Sequence, residues 1–356
     1  MTSKLSNPMA DCLQGLKVVD LTRNLPGPFA TRLLADLGAE IVKIEPMNGD
    51  PARAFGELFK ALNHGKTTLK VDFRDPEGIA TIKEHLKNAD VMLDSFRPGV
   101  LEGMGLDATA LHDINPKLVI VSITGYGITE GETVNHDWSN KAGHDINFMA
   151  LSGVLDQLKS SDGDQAMPNV QFADLAGGSD TAVIALLAAV IAAKNTGKGR
   201  HINTSMTHSL YNHLVMPKAT GKLIEQMTGK KPAPQHDFLG GLLPCYRLYK
   251  TKDDRYMAVG SLELKFWQGL CDVLDLPDLK NTHWQRGVLP NMPESRSAMQ
   301  TIAETFASQP LSHWSSLFEQ VDVCVTPVLT LAEAQNHPLF AHQDEYGATA
   351  GWQVVS

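Results

Sequence analysis

The chain has 356 residues, 43% of them hydrophobic and 20% charged, which suits one large or two ordinary globular domains and excludes a disordered chain. A formal net charge of −9 without any Lys/Arg-rich block argues against general nucleic-acid binding; a polyanionic ligand would need locally placed basic groups and helix N-termini. The four cysteines, Cys12, Cys245, Cys271 and Cys324, are scattered without a CxxC pair, which points to a reducing compartment and away from a structural metal site.

The opening MTSKLSNPMADCLQG lacks the apolar core of a signal peptide, and the terminal GWQVVS is not a peroxisomal tripeptide. The richest apolar run, residues 182–193, has the length of a core helix rather than of a bilayer span. The expectation is a soluble cytoplasmic protein.

In chain order, LKVVDLT (16–22) is a short β-rich run. GPFATRLLADLGA (27–39) has helical spacing, with Phe29, Leu33, Leu34 and Leu37 on one stripe and Gly38 as the stop, and EIVKIE (40–45) is the next strand. Strand, helix and strand within about 30 residues is the pattern of a parallel βαβ unit. It continues with TLKVDF as a strand, DPEGIATIKEHLKN as a helix capped by Asp75, VMLDSF as a strand, a short helix near 100–112, and LVIVSITGYG as a strand. The fold class is therefore α/β: a large Rossmann-like open sheet with ligand loops at its strand ends. Long helices are expected over 174–195 and 203–227, then a Pro-rich inter-domain loop in KKPAPQHD. YRLYKT and YMAVGS read as antiparallel strands joined at Lys252-Asp253-Asp254, followed by a helix from Leu264, which makes a small α+β domain. The expected boundaries are 1–200 for the large domain, 201–235 for a helical linker, 236–318 for the small domain, and 319–356 for a return to the large one.

Three motif candidates fail. HGKTT (64–68) ends like a phosphate loop, but Lys60 stands where the first Gly is needed. GYG (125–127) opens like a dinucleotide fingerprint, but the third Gly would fall at Glu130. His208 and His213, five apart on an expected helix, do not share a face as metal ligands would. There is also no GxSxG elbow.

The remaining polar signals are His144–Asp145, Asp174 and Glu263. In AGHDINFMALSGVL a helix starting near His144 offers free amides and a partly positive end. Asp145 would complement that end, a capping role; alternatively, His144 moves a proton at the helix mouth while the adjoining amides face a developing oxyanion. Asp174, in FADLAGGSD, is either an N-cap or a base or nucleophile, and Gly177 and Gly178 allow close approach to the backbone. Glu263 is either a cap or a partner that fixes one tautomer of His144.

These stretches resemble one family almost end to end. LQGLKVVDLTRNLPGPFATRLLADLGAEIVKIEP, GKTTLKVDFRDPEG, ADVMLDSFRPGVLEGMGLD, VSITGYG, AGHDINFMALSGVL, FADLAGG, YMAVGSLELKFW and CVTPVLTLAEA resemble the family III CoA-transferase (CaiB/BaiF) superfamily and, within it, the α-methylacyl-CoA racemases. The resemblance implies an interlocked homodimer, each chain with a large and a small domain, acting on an acyl-CoA substrate with no metal, other cofactor, nucleic acid or membrane partner. Racemases of this fold carry Gly-His-Asp-Ile-Asn and use a His and an Asp as paired acid/bases, which maps onto His144 and Asp174, with Asp145 beside them and Glu263 as the His-supporting Glu. The implied reaction is epimerisation of 2-methylacyl-CoA thioesters through an enolate. The alternative is CoA transfer to a free carboxylic acid, with Asp174 as the nucleophile. The resemblance also implies CoA and substrate contacts at Leu25, Lys66, Ser95, Phe96, Arg97, Met104 and Phe148, with Met149, Leu242 and Leu243 near the acyl group. The chain departs from the racemase pattern at Phe148, where a Tyr is common, at Val170, where an Asn is frequent, and in GSLELKFW. Pro46 stands where transferases often have an Arg.

Overall fold

The computed structural model describes residues 9–128, 138–159, 164–231, 239–290 and 292–340. They fall into two compact units. One comprises the described residues up to Leu155 together with Met167–His213, and the other comprises Asp156–Ala166 and the residues from Leu214 onward.

The first unit is built on six strands: β1 (Lys17–Asp20), β2 (Glu40–Glu45), β3 (Thr67–Lys70), β4 (Val91–Asp94), β5 (Val119–Thr124) and β6 (Arg200–Ser205). They lie in the order β3-β2-β1-β4-β5-β6, and every neighbouring pair is parallel. This is the doubly wound arrangement expected from the alternating strand and helix patterns, with its chain reversal between β1 and β4. VMLD and VIVSIT are buried along their whole length, as befits central parallel strands covered on both faces. The edges, TTLK and RHINTS, are polar and more exposed, which discourages pairing with another sheet edge.

Buried charge ties this unit together beneath the end of β1. Asp20 accepts hydrogen bonds from Thr22 Oγ1 at 2.5 Å and Thr31 Oγ1 at 2.6 Å, and it faces Lys66 at 3.3 Å. Lys43 Nζ donates to the Thr22 carbonyl at 2.7 Å and pairs with Asp50 at 3.0 Å. Asp50 in turn accepts the Asn24 amide. Burial alone would raise the Asp20 pKa, but Lys43, Lys66 and the two threonine hydroxyls outweigh it and bring the carboxyl down to about 2. The segment from Thr22 to Asn24 is thus tied to a buried ionic network through Asp20, Lys43 and Asp50.

Two sequence expectations need correction here. The stretch 203–227 is not one helix. RHINTS is strand β6, Met206–His213 is a helix of the first unit, and Val215–Thr228 is a helix of the second. An exposed polar edge strand has too little apolar alternation to declare itself. The helical linker expected over 201–235 is accordingly divided between the units, and residues 232–238 of the expected Pro-rich loop lie outside the described residues. Secondly, the helical segment Ala173–Thr196 runs 24 residues and contains an apolar stretch of 18, so by length and composition it could cross a bilayer, which the 182–193 window understated. Core helices meet the same measure, and this one packs on β5 and β6 and on the helix Pro26–Asp36.

The second unit holds the antiparallel sheet β7 (Tyr246–Lys250), β8 (Tyr256–Gly260) and β9 (Val325–Pro327), in the order β7-β8-β9. The β7–β8 turn falls at the expected place, with Asp254 at φ 60°. Trp267, Phe306 and Trp314 fill the core against Tyr249. The expected return of residues 319–356 to the large domain is overturned for the described part. Val325 pairs with Val259 and Pro327 with Met257, because a three-residue strand carries no sign of which sheet it will join.

Candidate active site

A cavity of about 290 Å³ opens at the carboxyl ends of the central strands of the first unit. Its walls include Arg23, Asn24 and Pro26 after β1, residues 95–98 after β4, and Gly125 and Tyr126 after β5; Lys141, Gly143, His144, Phe148, Asp174 and Met206 also line it. This is the crevice where a doubly wound sheet reverses direction, the usual ligand position in such folds.

His144 is the N-cap of the helix Asp145–Ser152, as expected from the sequence. Its amide donates to Asn147 Oδ1 at 3.0 Å, which fixes the first turn, and the residue itself is exposed. A Cβ at Gly143 would come within 2.6 Å of Tyr126 Oη and 2.7 Å of Phe148 Cε1, so only glycine lets the chain pass there. The Phe148 ring meets Tyr126 edge-on at 5.1 Å and makes a rigid apolar wall beside His144.

Asp145 does not cap its own helix. Its Oδ1 accepts the amides of Ala173, at 2.7 Å, and Asp174, at 2.9 Å, at the start of the segment Ala173–Thr196. One carboxylate therefore ties the turn carrying His144 to the turn carrying Asp174. The first turns of that segment, Ala173–Asp180, are wound as a π-helix, a form frequent at functional sites. Gly178 allows it to lie against Pro26 and Met206, and Ser179 Oγ donates to the Pro26 carbonyl at 2.6 Å.

Burial, reinforced by the neighbouring Asp145 carboxylate, pushes the Asp174 carboxyl up to about 7. Burial also raises Asp145, against the two amides that hold it ionised. Asp174 can therefore take or release a proton near neutral pH, and it lines the same cavity as an imidazole.

The structure sorts the ligand contacts implied by the resemblance. Ser95, Phe96, Arg97 and Phe148 line the cavity; Leu25 and Met104 do not. Met104 packs on the core beneath β4, and Leu25 caps the helix Pro26–Asp36 between two lining residues. Lys66 is a correction. Its ammonium is fully buried and donates to Asp20, Thr31, Asn63 and the Pro28 carbonyl, so it is a structural cation and does not meet a phosphate. Met149 and Leu243 are core residues and present no surface to an acyl chain. Glu263 is the exposed N-cap of the helix Leu264–Val273 in the second unit and makes no side-chain capping bond. The rejected histidines are satisfied locally, His208 by Ser205 Oγ and His213 by the Ser209 carbonyl. Sequence reasoning missed Arg23, Asn24, Tyr126 and Lys141. Arg23 and Lys141 join Arg97 as cations of the cavity wall, a local basic site on an acidic chain. Their signal was available in part, since each follows a strand or precedes the His144 helix, where such folds place ligand loops.

Residues 13–347 match the family described as CoA-transferase family III. Human alpha-methylacyl-CoA racemase is 32% identical over 339 residues, spanning 94% of this chain and 82% of that protein. Human succinyl-CoA:glutarate CoA-transferase is 33% identical over 343 residues, spanning 93% of this chain and 74% of that protein. The crystal structure of a CAIB/BAIF family protein from Brucella suis has a TM-score of 0.75 at 27% identity, over 92% of this chain and 87% of that one.

Proposed function

The chain belongs to CoA-transferase family III, and from that premise we propose that it epimerises 2-methylacyl-CoA thioesters by moving the α-proton through an enolate. The observation that carries the reading is the pairing in one cavity of His144 with Asp174, whose carboxyl is held near 7. Epimerisation needs a base on one face of the carbon and an acid on the other. In one direction neutral His144 removes the α-proton and protonated Asp174 delivers one to the opposite face; the reverse direction exchanges the roles. The two groups share one proton over the cycle. Acid–base assistance of this kind contributes ~10²–10⁴-fold. The enolate oxygen needs a donor, and the Asp145 amide, in the first helical turn with no intrahelical acceptor, supplies it; one such donor is worth about 3 kcal/mol. Arg23, Arg97 and Lys141 answer the phosphates of CoA, which is part of the substrate; the chemistry calls for no further cofactor.

CoA transfer, with Asp174 as nucleophile, is kept as a second reading because a transferase and a racemase relative stand at nearly equal identity. The burial that makes Asp174 a proton carrier at neutral pH works against it as a standing carboxylate nucleophile. Incubation of one epimer of a 2-methylacyl-CoA in heavy water separates the readings. Epimerisation with deuterium at the α-carbon is expected, abolished by His144→Ala. Absence of label, with CoA passing to an added carboxylic acid, would refute the proposal in favour of transfer.

A further inference from the structure

Behind the cavity, three neighbouring strands carry a chain of polar side chains that the proposed chemistry does not use. Asp94, at the end of β4, is 1% exposed and does not line the cavity. Its Oδ1 accepts the Phe96 amide at 3.0 Å. Its Oδ2 accepts Ser122 Oγ of β5 at 2.6 Å, and Ser122 Oγ lies 2.9 Å from His201 Nε2 of β6. The serine stands between carboxylate and imidazole rather than at the end of an Asp–His–Ser relay, and it is buried and does not line the cavity, so it is not presented to a substrate as a nucleophile. What the chain does hold is the wall at 95–98. The Phe96 amide is fixed by Asp94, Ser95 Oγ accepts the Arg23 amide at 3.3 Å, and the Arg23 guanidinium sits 5.9 Å from the Phe96 ring.

We propose that Asp94 is a positioning residue for the acyl-CoA cavity, holding the 95–98 wall in its binding shape through a hydrogen-bonded chain that runs by way of Ser122 to His201. The inference rests on the acyl-CoA reading above. With Asp94 ionised, His201 Nε2–H donates to Ser122, Ser122 donates to Asp94, and the Phe96 amide bonds a full carboxylate. When Asp94 binds a proton the chain reverses: Asp94 donates to Ser122 and Ser122 to an unprotonated His201 Nε2. The Phe96 bond then loses its charge assistance and about half its strength. Burial lifts the Asp94 carboxyl to about 6; Ser122 and the Phe96 amide oppose that lift and Glu102 adds to it. Burial lowers His201, with His112 lowering it further and Glu102 opposing. The charged and titratable groups felt by the chain from the adjoining helices are thus Glu102 and His112.

The test uses free CoA as the probe and Asp94→Asn as the variant that keeps the shape. Dissociation constants are measured by calorimetry at pH 5.5 to 8, alongside KM and kcat for exchange. At pH 8 Asp94→Asn should weaken CoA binding and raise KM by about tenfold, the size of one charge-assisted hydrogen bond, with kcat within about threefold of the unsubstituted protein. The gap between the two proteins should close as pH falls through 6; the ligand's own titration is common to both. His201→Gln, which retains a donor toward Ser122, should bind CoA normally, whereas His201→Ala should weaken it. Asp94→Asn binding CoA as well as the unsubstituted protein at pH 8, or losing kcat as much as it gains KM, would overturn this inference alone. An unsubstituted protein that does not bind CoA would overturn the acyl-CoA reading and this inference with it.

Discussion

Replacing Asp174 by Asn tests the site through stability as well as turnover. The carboxyl rises from 3.8 to about 7 in the folded chain because burial and Asp145 both penalise its charge. Each tenfold change in proton affinity is about 1.4 kcal/mol, so ionised Asp174 costs the fold at most about 4 kcal/mol at alkaline pH, and about 2 once solvent screening at this half-buried position is allowed for. The sign follows from proton binding. Between pH 3.8 and 7 the native state holds the proton and the unfolded state has released it, so stability falls as pH rises through that window. Asn carries no charge at any pH and escapes the penalty. Urea unfolding followed by tryptophan fluorescence should show Asp174→Asn more stable by about 2 kcal/mol at pH 8, the gain shrinking by roughly half at pH 5, while α-proton exchange is lost. A variant no more stable than the parent at pH 8 would refute the argument. So would a gain equal at both pH values, since that would report packing rather than ionisation.

Asp145→Ala strips the acceptor from the Ala173 and Asp174 amides and should cost about 1.5–3 kcal/mol per charge-assisted bond, read as a lower urea midpoint. The same change removes a like charge from beside Asp174, so the Asp174-dependent limb of the pH–rate profile should move to lower pH. Lys66→Met leaves Asp20 buried with one cation fewer and should destabilise by about 3–5 kcal/mol; adding Asp20→Asn should recover part of that in the double variant. Gly125→Ala would place a Cβ 2.3 Å from Phe148 Cε1, forcing the ring off the cavity wall, with a stability loss of about 1–3 kcal/mol and a raised KM for the CoA ester. Restoration of KM by a paired Phe148→Leu would support that account, and an unchanged KM in the single variant would contradict it.

The alternation of apolar runs with 3.6-period stretches by itself determined the parallel sheet, because each central strand must be apolar on both faces and each crossover helix on one. GHDINF and FADLAGG likewise declared an imidazole and a carboxyl at two helix mouths, since caps and glycines are local requirements. Charge, however, has no local signature of its destination. Lys66 and Arg97 read alike in the sequence, yet one neutralises Asp20 in the interior and the other lines the cavity. β6 was illegible as a strand, and the sheet that β9 joins was illegible, for a related reason: short or polar strands gain their identity from the neighbour that accepts their hydrogen bonds. Only the tertiary structure decided that Asp145 caps a helix other than its own, that Asp174 is desolvated enough to carry a proton at neutral pH, and that Asp174 lines the same cavity as His144. Proton affinity depends on how much water and which charges surround a group, and those are settled by residues far away in the chain.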